Sequence, residues 1–180
     1  TKPSFIFGGK VYQYFSGVEY QYKMSKYTKV EIFELDECTN RPSTGPNPIH
    51  IFSGTDKYPK IKGTDPKARS FAFNTYNPFR DCIFFYEKAC YGGKMLGKQC
   101  NDEKLDMELV AKAESYIAGS SVTEIYFKNK NGNKIKVKGN LLRRNPNIRN
   151  NSKKVYKMFT QYRKNKKYYS GISQVDISIE

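Results

Sequence analysis

The sequence predicts a mainly β, antiparallel fold with one or two short helices. Three observations support this prediction. Apolar and polar residues alternate at period two in short segments, of which residues 18–24 are an example. The chain is rich in residues that strands favour, with 15 Tyr and 12 Phe among its 180 residues. Turn-forming residues are closely spaced, and the loop at 39–48 alone contains three prolines, which deny backbone donors to a sheet.

The first half of the chain is predicted to form successive strands. The alternating and aromatic segments that predict them are 5–35, 49–52, 71–73 and 82–86. A helix is predicted over 102–118, because Leu105, Leu109, Ala113 and Ile117 recur every four residues. Asn101 or Asp102 can cap its start, and Gly119 can end it.

A hairpin is predicted after this helix. Residues 122–129 have strand composition, the Asn-Gly pair at 131–132 is a turn signal, and Ile135 and Val137 alternate with lysines. Residues 145–151 are predicted as a loop. A second helix is predicted over about 152–165, with Val155, Met158, Phe159 and Tyr162 on one side. A final strand is predicted over 175–179.

The four cysteines are Cys38, Cys82, Cys90 and Cys100. None lies in a C-x-x-C pair and His50 is the only histidine, so neither a metal site nor a cofactor is predicted. An even count without metal spacing predicts two disulfides in an oxidising compartment, the alternative being four buried free thiols in a cytosolic chain. Of the three possible connectivities we expect Cys90–Cys100 with Cys38–Cys82, because the first closes a short glycine-rich turn.

The sequence favours a secreted protein. It has no run of about 18 apolar residues, so no membrane span is expected. No signal peptide is visible, and the start at Thr1 suits a processed mature chain and equally a trimmed one. Asn150-Asn151-Ser152 is an N-glycosylation sequon, so a glycoprotein modified at Asn150 is expected.

The formal net charge of +15 is concentrated in the last third of the chain. Residues 128–167 contain 15 Lys and Arg and no Asp or Glu. Residues 124–180 hold those 15 cations and three acids, a net of +12, which leaves +3 for residues 1–123. Like charges at this density repel one another, and a polyanion would relieve the repulsion. The alternative is a solvated charge run that only maintains solubility.

The basic residues alternate with apolar ones at strand and helix periods, so we predict a folded cationic surface rather than a flexible tail. Alternation places Lys134, Lys136 and Lys138 on one strand face. The predicted polyanion-binding residues are Lys128, Lys130, Lys134, Lys136, Lys138, Arg143, Arg144, Lys153, Lys154, Lys157, Arg163, Lys164, Lys166 and Lys167.

These patterns predict a secreted basic binding or effector protein that captures a glycosaminoglycan, another anionic surface or an acidic host protein. Nucleic acid is the rival polyanion, since tyrosines interleave with the cations, but no nucleic-acid motif accompanies them. A toxin-like enzyme or nuclease is an alternative. No catalytic residue is assigned, because His50 reads as a strand histidine and no phosphate loop or nucleophile motif is present.

The stretch Tyr86-Glu87-Lys88-Ala89-Cys90-Tyr91-Gly92-Gly93 resembles the Greek-key signature of the βγ-crystallins, an aromatic, four residues, an aromatic, one residue, then Gly. The resemblance covers about residues 82–122. It implies a folded hairpin in which Gly93 adopts a conformation costly for other residues and the two aromatics pack on the turn.

The resemblance also implies a Greek-key sandwich or barrel-like fold, either one domain over 1–180 or two small halves with a boundary near 74–81. The family places a Ser near the last strand of each motif, which Ser120-Ser121 can supply, and residues 173–177 look like a second such ending. Calcium binding is not carried over, because residues 116–121 lack the Asn/Asp pair of calcium-binding members. A structural crystallin-like module without a ligand is therefore a third functional hypothesis.

Overall fold

The computed structural model describes residues 4–7, 10–13, 19–21, 28–53, 60–62, 70–75, 80–100, 105–159, 161–164 and 167–180. The chain divides into two compact units, residues 1–76 and residues 77–180. Both consist mainly of antiparallel strands, which confirms the predicted fold class. In the described part of the chain, no helix has the length and apolar character needed to cross a bilayer.

The first unit contains seven described strands, all in antiparallel pairs. They are β1 (Ser4–Phe7), β2 (Lys10–Gln13), β3 (Glu19–Gln21), β4 (Thr28–Phe33), β5 (His50–Ser53), β6 (Lys60–Lys62) and β7 (Ser70–Thr75). The largest sheet has the order β5-β4-β7, and β1-β2 and β3-β6 form two-stranded sheets. His50 lies in β5, where only its backbone belongs to the described part of the chain.

The second unit contains nine described strands and three short helices. They are β8 (Cys82–Lys88), β9 (Gly92–Cys100), α1 (Met107–Val110), β10 (Ser115–Ala118), β11 (Val122–Asn129), β12 (Lys134–Lys136), β13 (Arg144–Asn145), α2 (Ile148–Asn151), α3 (Lys153–Phe159), β14 (Gln161–Lys164), β15 (Lys167–Ser170) and β16 (Ile172–Ile179). The sheets have the orders β13-β10-β8-β9, β12-β11-β16 and β14-β15.

Both larger sheets and α3 contribute to one core in the second unit. Phe85 of β8, Tyr116 of β10, Phe127 of β11 and Phe159 of α3 are at most 1% exposed. Their ring centroids lie 5.3 to 6.4 Å apart in tilted or edge-on pairs, an arrangement that aromatic rings prefer. This core fixes α3 beside the β11–β12 hairpin, because Val155, Met158 and Phe159 bury one face of the helix in it.

The predicted helix over 102–118 is wrong for most of its length. The helical turn α1 covers only Met107–Val110 and is capped by Asp106, whose carboxylate accepts the amides of Glu108 and Leu109. Residues 115–118 form β10 instead, an interior strand whose four side chains are all buried. A strand buried on both faces does not alternate, so its apolar run matched helical spacing.

The predicted second helix begins where expected but ends early. It covers Lys153–Phe159, and Gln161–Lys164 leaves it to pair with Lys167–Ser170 in a hairpin. Residues 148–151, predicted as loop, form the turn α2, with the Asn147 side chain accepting the Asn150 amide. The predicted hairpin at 122–137 is confirmed, with Gly132 at φ +83° in the turn.

The expected disulfide connectivity is wrong, although two disulfides are present. Cys82 and Cys100 face each other on β8 and β9 and are bonded, with their Cα atoms 4.2 Å apart. Cys90 lies at the other end of this hairpin, in the turn of 3-10 helix that precedes β9. None of the four cysteines is free.

A folded hairpin of one design occurs once in each unit. In the second unit Cys90 and Tyr91 adopt left-handed φ values of 61° and 58°. The buried hydroxyl of Ser115 accepts the Tyr91 amide at 3.1 Å and donates to the Lys88 carbonyl at 2.6 Å. The serine that closes the turn is therefore Ser115 and not the expected Ser120-Ser121.

The first unit repeats this arrangement without an obvious sequence match. Glu37 and Cys38 have φ values of 56° and 55°, and Ser70 Oγ accepts the Cys38 amide at 2.9 Å and donates to the Leu35 carbonyl. In the second hairpin Gly93 comes two positions after Tyr91. In the first hairpin Asn40 occupies the equivalent position, two after Cys38. The pairing registers agree too, since Ser70 faces Phe33 as Ser115 faces Tyr86.

Two expectations about the second hairpin are met. Gly93 has φ +70°, a conformation that favours glycine. Tyr86 and Tyr91 pack edge to face, with ring centroids 6.2 Å apart. Ser173, expected in a second motif ending, lies in β16 and donates to the Lys128 carbonyl at 3.4 Å.

Candidate functional site

The predicted basic residues fall into three groups in the structure. One group lies on the exposed face of the β12-β11-β16 sheet, opposite the buried side chains of Ile125 and Phe127. It consists of Lys128, Lys134 and Lys136. Register places Lys136 beside Tyr126 and Lys134 beside Lys128, so the three cations share one surface.

Acids on the same face offset much of that charge. Lys128 Nζ lies 2.6 Å from a carboxylate oxygen of Asp176, and Lys136 Nζ lies 3.2 Å from Glu124. The hydrogen bond to Glu124, with its negative charge, raises the pKa of Lys136. Lys134 Nζ sits 3.9 Å above the Tyr126 ring. Three lysines and two carboxylates leave this face with a net charge of only +1.

A second group is scattered or committed to the fold. Arg143 donates its guanidinium hydrogens to the backbone carbonyls of Gly119 and Val122, the latter at 2.6 Å, and so ties the end of β10 to β11. Arg144 lies partly buried in β13, and Lys138 is exposed just before a turn of 3-10 helix. Arg163, Lys164 and Lys167 lie in β14 and β15 with side chains outside the described part of the chain, and Lys166 lies outside it entirely.

The third group meets at a cleft between the hairpin turn and α3. Lys130 comes from the turn, and Lys154 and Lys157 come from the exposed side of α3. Lys153, the third lysine of this helix, is also exposed and precedes Lys154 directly. The cleft has a volume of about 520 Å³. The nine described residues that line it are Asn129, Lys130, Asn131, Asn133, Ile135, Lys154, Lys157, Met158 and Gly171. They include three lysines, three asparagines and no acid.

The turn that forms one wall of the cleft is braced by its own side chains. The side-chain oxygen of Asn129 accepts hydrogen bonds from the backbone amides of Asn131 at 3.0 Å and Asn133 at 2.9 Å. The backbone amide of Asn129 donates to the Asn133 carbonyl at 3.0 Å. The Lys130 amide donates to the Gly171 carbonyl at 3.4 Å. The wall is therefore held in place before any ligand binds.

The floor of the cleft is apolar. Ile135 points to the core side of β12, and Met158 is buried in α3 with 6% exposure. Gly171 closes one side, since a Cβ there would lie 3.2 Å from the Met158 carbonyl oxygen. The absence of a side chain at this position keeps the start of β16 close to the helix.

Sequence reasoning therefore found the three lysines of the cleft but not their neighbours. The sequence indicates only a strand end at Asn129, a turn at Asn131 and Asn133, and apolar faces at Ile135 and Met158. No local signal could show that the turn and α3 meet, because residues 133 and 154 are joined through the tertiary fold.

The glycosylation sequon is accessible. Asn150 is exposed in α2, so its side chain can be reached by a modifying enzyme. Comparison with known proteins finds no matching family model, and no curated protein or solved structure is significantly similar to the chain.

Proposed function

We propose that this chain is a secreted basic protein that captures a polyanionic or acidic partner, with the cleft between the β11–β12 turn and α3 as the centre of binding. The observation that carries the proposal is the convergence of Lys130, Lys154 and Lys157 on one cleft, whose nine described lining residues include no acid. Lys130 lies 24 residues before Lys154 in the basic segment, and the fold brings the two elements together.

The placement of lysines on α3 supports a role beyond stability. Lys153 and Lys154 stand in the first turn of this helix, which contains no acid. Positive charge there opposes the helix dipole and costs about 0.3–1 kcal/mol for each residue. A protein that needed only solubility could carry the same lysines at the other end of a helix at no such cost.

Capture would be mainly electrostatic. Each lysine releases counterions from the polyanion as it binds, so the affinity depends on several weak contacts and falls steeply with salt. The braced turn lowers the entropy lost on binding, because its backbone and the Asn129 side chain are already held in place. The neighbouring sheet face adds Lys134, whose charge no acid offsets in the described contacts.

Two features support secretion as part of the proposal. All four cysteines are in disulfides, which persist in oxidising compartments. The sequon residue Asn150 is exposed, as a glycosylation acceptor must be.

The test is the affinity of the chain for a heparin fragment, used as a generic polyanion. The variant K154E/K157E should lower the affinity at least tenfold more than K94E/K112E, which changes the net charge equally at exposed lysines outside the basic segment. Equal loss in the two variants would show that total charge, and not the cleft, governs binding.

We also propose that the two folded hairpins reflect kinship with the βγ-crystallin Greek key. The paired left-handed residues, the closing serine and Gly93 support it. This kinship favours a structural module as the second candidate function. The heparin experiment separates the two, because a purely structural module would bind no more tightly than its charge predicts.

A further inference from the structure

We infer that the cleft selects an aromatic ring carrying a sulfate or phosphate ester, as on a modified tyrosine of an acidic protein. This inference rests on the proposed function and names the chemistry of the partner. It follows from the combination of a cationic rim, an amide wall and an apolar floor in one cavity.

The rim accounts for the anionic group. Lys130, Lys154 and Lys157 supply ammonium groups that act as mobile point charges, and the side-chain amides of Asn131 and Asn133 supply neutral donors beside them. A tetrahedral ester oxyanion offers several acceptor oxygens and can engage donors from both walls at once. With no acid among the nine described lining residues, nothing in that set repels it.

The floor accounts for the ring. A lone oxyanion has only five heavy atoms, whereas the open cleft of about 520 Å³ has room for a ring beside it. Ile135 and Met158 form apolar surface below the rim, and a methionine thioether makes favourable contacts with aromatic rings.

The cationic rim and the apolar floor also determine how the ligand is oriented in the cleft. The ring must enter first and lie on Ile135 and Met158, and the ester then remains at the level of the lysines near the mouth. An aryl ester has the matching arrangement, since its anionic group is attached at one end of a flat apolar ring. A peptide carrying it can continue across the exposed cations of α3.

The experiment uses the full chain and four peptides of one acidic sequence that differ at one position: sulfotyrosine, phosphotyrosine, tyrosine or glutamate. Calorimetry should show at least one of the two esters binding tenfold or more tightly than both the tyrosine and the glutamate peptide. Comparing the two esters identifies which anion the rim prefers. A glutamate peptide that binds as tightly as both esters would overturn the inference.

Two variants connect the binding to this cleft. K154Q/K157Q should weaken the ester peptide about tenfold or more, and I135T should weaken it at least threefold while I135V does not. I135T keeps a β-branched side chain on the strand and replaces its ethyl branch with a hydroxyl, and circular dichroism checks that the fold is retained. An ester peptide indifferent to both I135T and K154Q/K157Q would place its binding elsewhere and overturn the inference.

The inference and the proposed function fail differently. If K154E/K157E abolishes heparin binding but no ester is preferred, the cleft binds anions without selecting a ring, so only the inference is wrong. If heparin affinity is the same in K154E/K157E and in its charge-matched control, the proposed function is wrong as well.

Discussion

The buried hydroxyl of Ser115 accepts a hydrogen bond from the backbone amide of Tyr91 at 3.1 Å. Ser115 lies on β10 and Tyr91 at the tip of the β8–β9 hairpin, so this bond fastens the folded tip to the neighbouring strand. It also supports two consecutive left-handed residues, each of which costs about 1–2 kcal/mol outside glycine. Ser70 and Cys38 make the same bond at 2.9 Å in the first unit.

Replacing Ser115 by Ala should therefore destabilise the second unit by about 1–3 kcal/mol, because the Tyr91 amide loses its partner in a buried place. Urea unfolding monitored by tyrosine fluorescence measures the change. Exposed Ser120 provides the control, and S120A should lie within about 0.5 kcal/mol of the wild type. Similar losses of stability in S115A and S120A would contradict a stabilising role for the Ser115 hydroxyl in the hairpin.

The two glycines of the second unit's hairpins make a matched pair of tests. Gly132 has φ +83° with open space around it, so G132A should cost only the conformational penalty of about 1 kcal/mol. At Gly93 a Cβ would also lie 2.9 Å from the Glu87 carboxylate and 3.1 Å from Glu87 Cβ. G93A should therefore be the more destabilising in urea by about 1 kcal/mol or more. The reverse order would contradict the close packing at this turn.

The disulfide between Cys82 and Cys100 closes a loop with a sequence separation of 18. In the chain-entropy description a loop of this size contributes about 3 kcal/mol, so C82A/C100A should lose stability of that order. Peptide mapping under non-reducing conditions should recover the Cys82 and Cys100 peptides joined to each other. A Cys90–Cys100 peptide instead would contradict the strand register of β8 and β9.

Burial raises the pKa of Tyr116 above its ordinary value of 10.0. Below pH 10 the tyrosine is neutral in both states, but above it the unfolded chain ionises first, so the free energy of unfolding falls as pH rises. The slope from this group approaches about 1.4 kcal/mol per pH unit until its raised pKa is reached. Urea unfolding from pH 8 to 11 should show a shallower decline in Y116F, although half-buried Tyr86 contributes a slope of its own. Equally steep declines would contradict the burial of Tyr116.

The fold class and the β11–β12 hairpin could be predicted because their signals are local. An Asn-Gly turn and a period-two alternation identify a hairpin whatever surrounds it, and Phe127 and Val137 face the core as the alternation requires. The strand at 115–118 could not be predicted in this way. Its burial on both faces depends on β8 and β13, which flank it in the sheet and are distant in sequence.

The first-unit hairpin could not be recognised from the sequence either. Its left-handed residues are Glu37 and Cys38, and Asn40 stands where the second hairpin has Gly93, so the glycine that identifies the second hairpin has no counterpart. What the two turns share is the closing serine, and Ser70 lies 32 residues after Cys38. A long-range hydrogen bond leaves no local pattern to detect.

The candidate site was predictable in its charge and not in its shape. The sequence predicted Lys134, Lys136 and Lys138 on one strand face of the cationic surface, but Glu124 offsets Lys136, and Asp176 offsets the neighbouring Lys128. Asp176 reaches Lys128 only because β16 pairs with β11, a contact across 48 residues. The cleft could not be predicted for the same reason, since it forms only where the fold brings α3 to the hairpin turn.

The measurement that tests the central claim most directly is the salt dependence of heparin-fragment affinity for the wild type, K154Q/K157Q and K94Q/K112Q. If Lys154 and Lys157 each bind an anionic group, the slope of log affinity against log salt should become shallower by about two in the first variant and change little in the second. Equal slopes in all three proteins, or equal losses in both variants, would contradict the cleft as the site of capture.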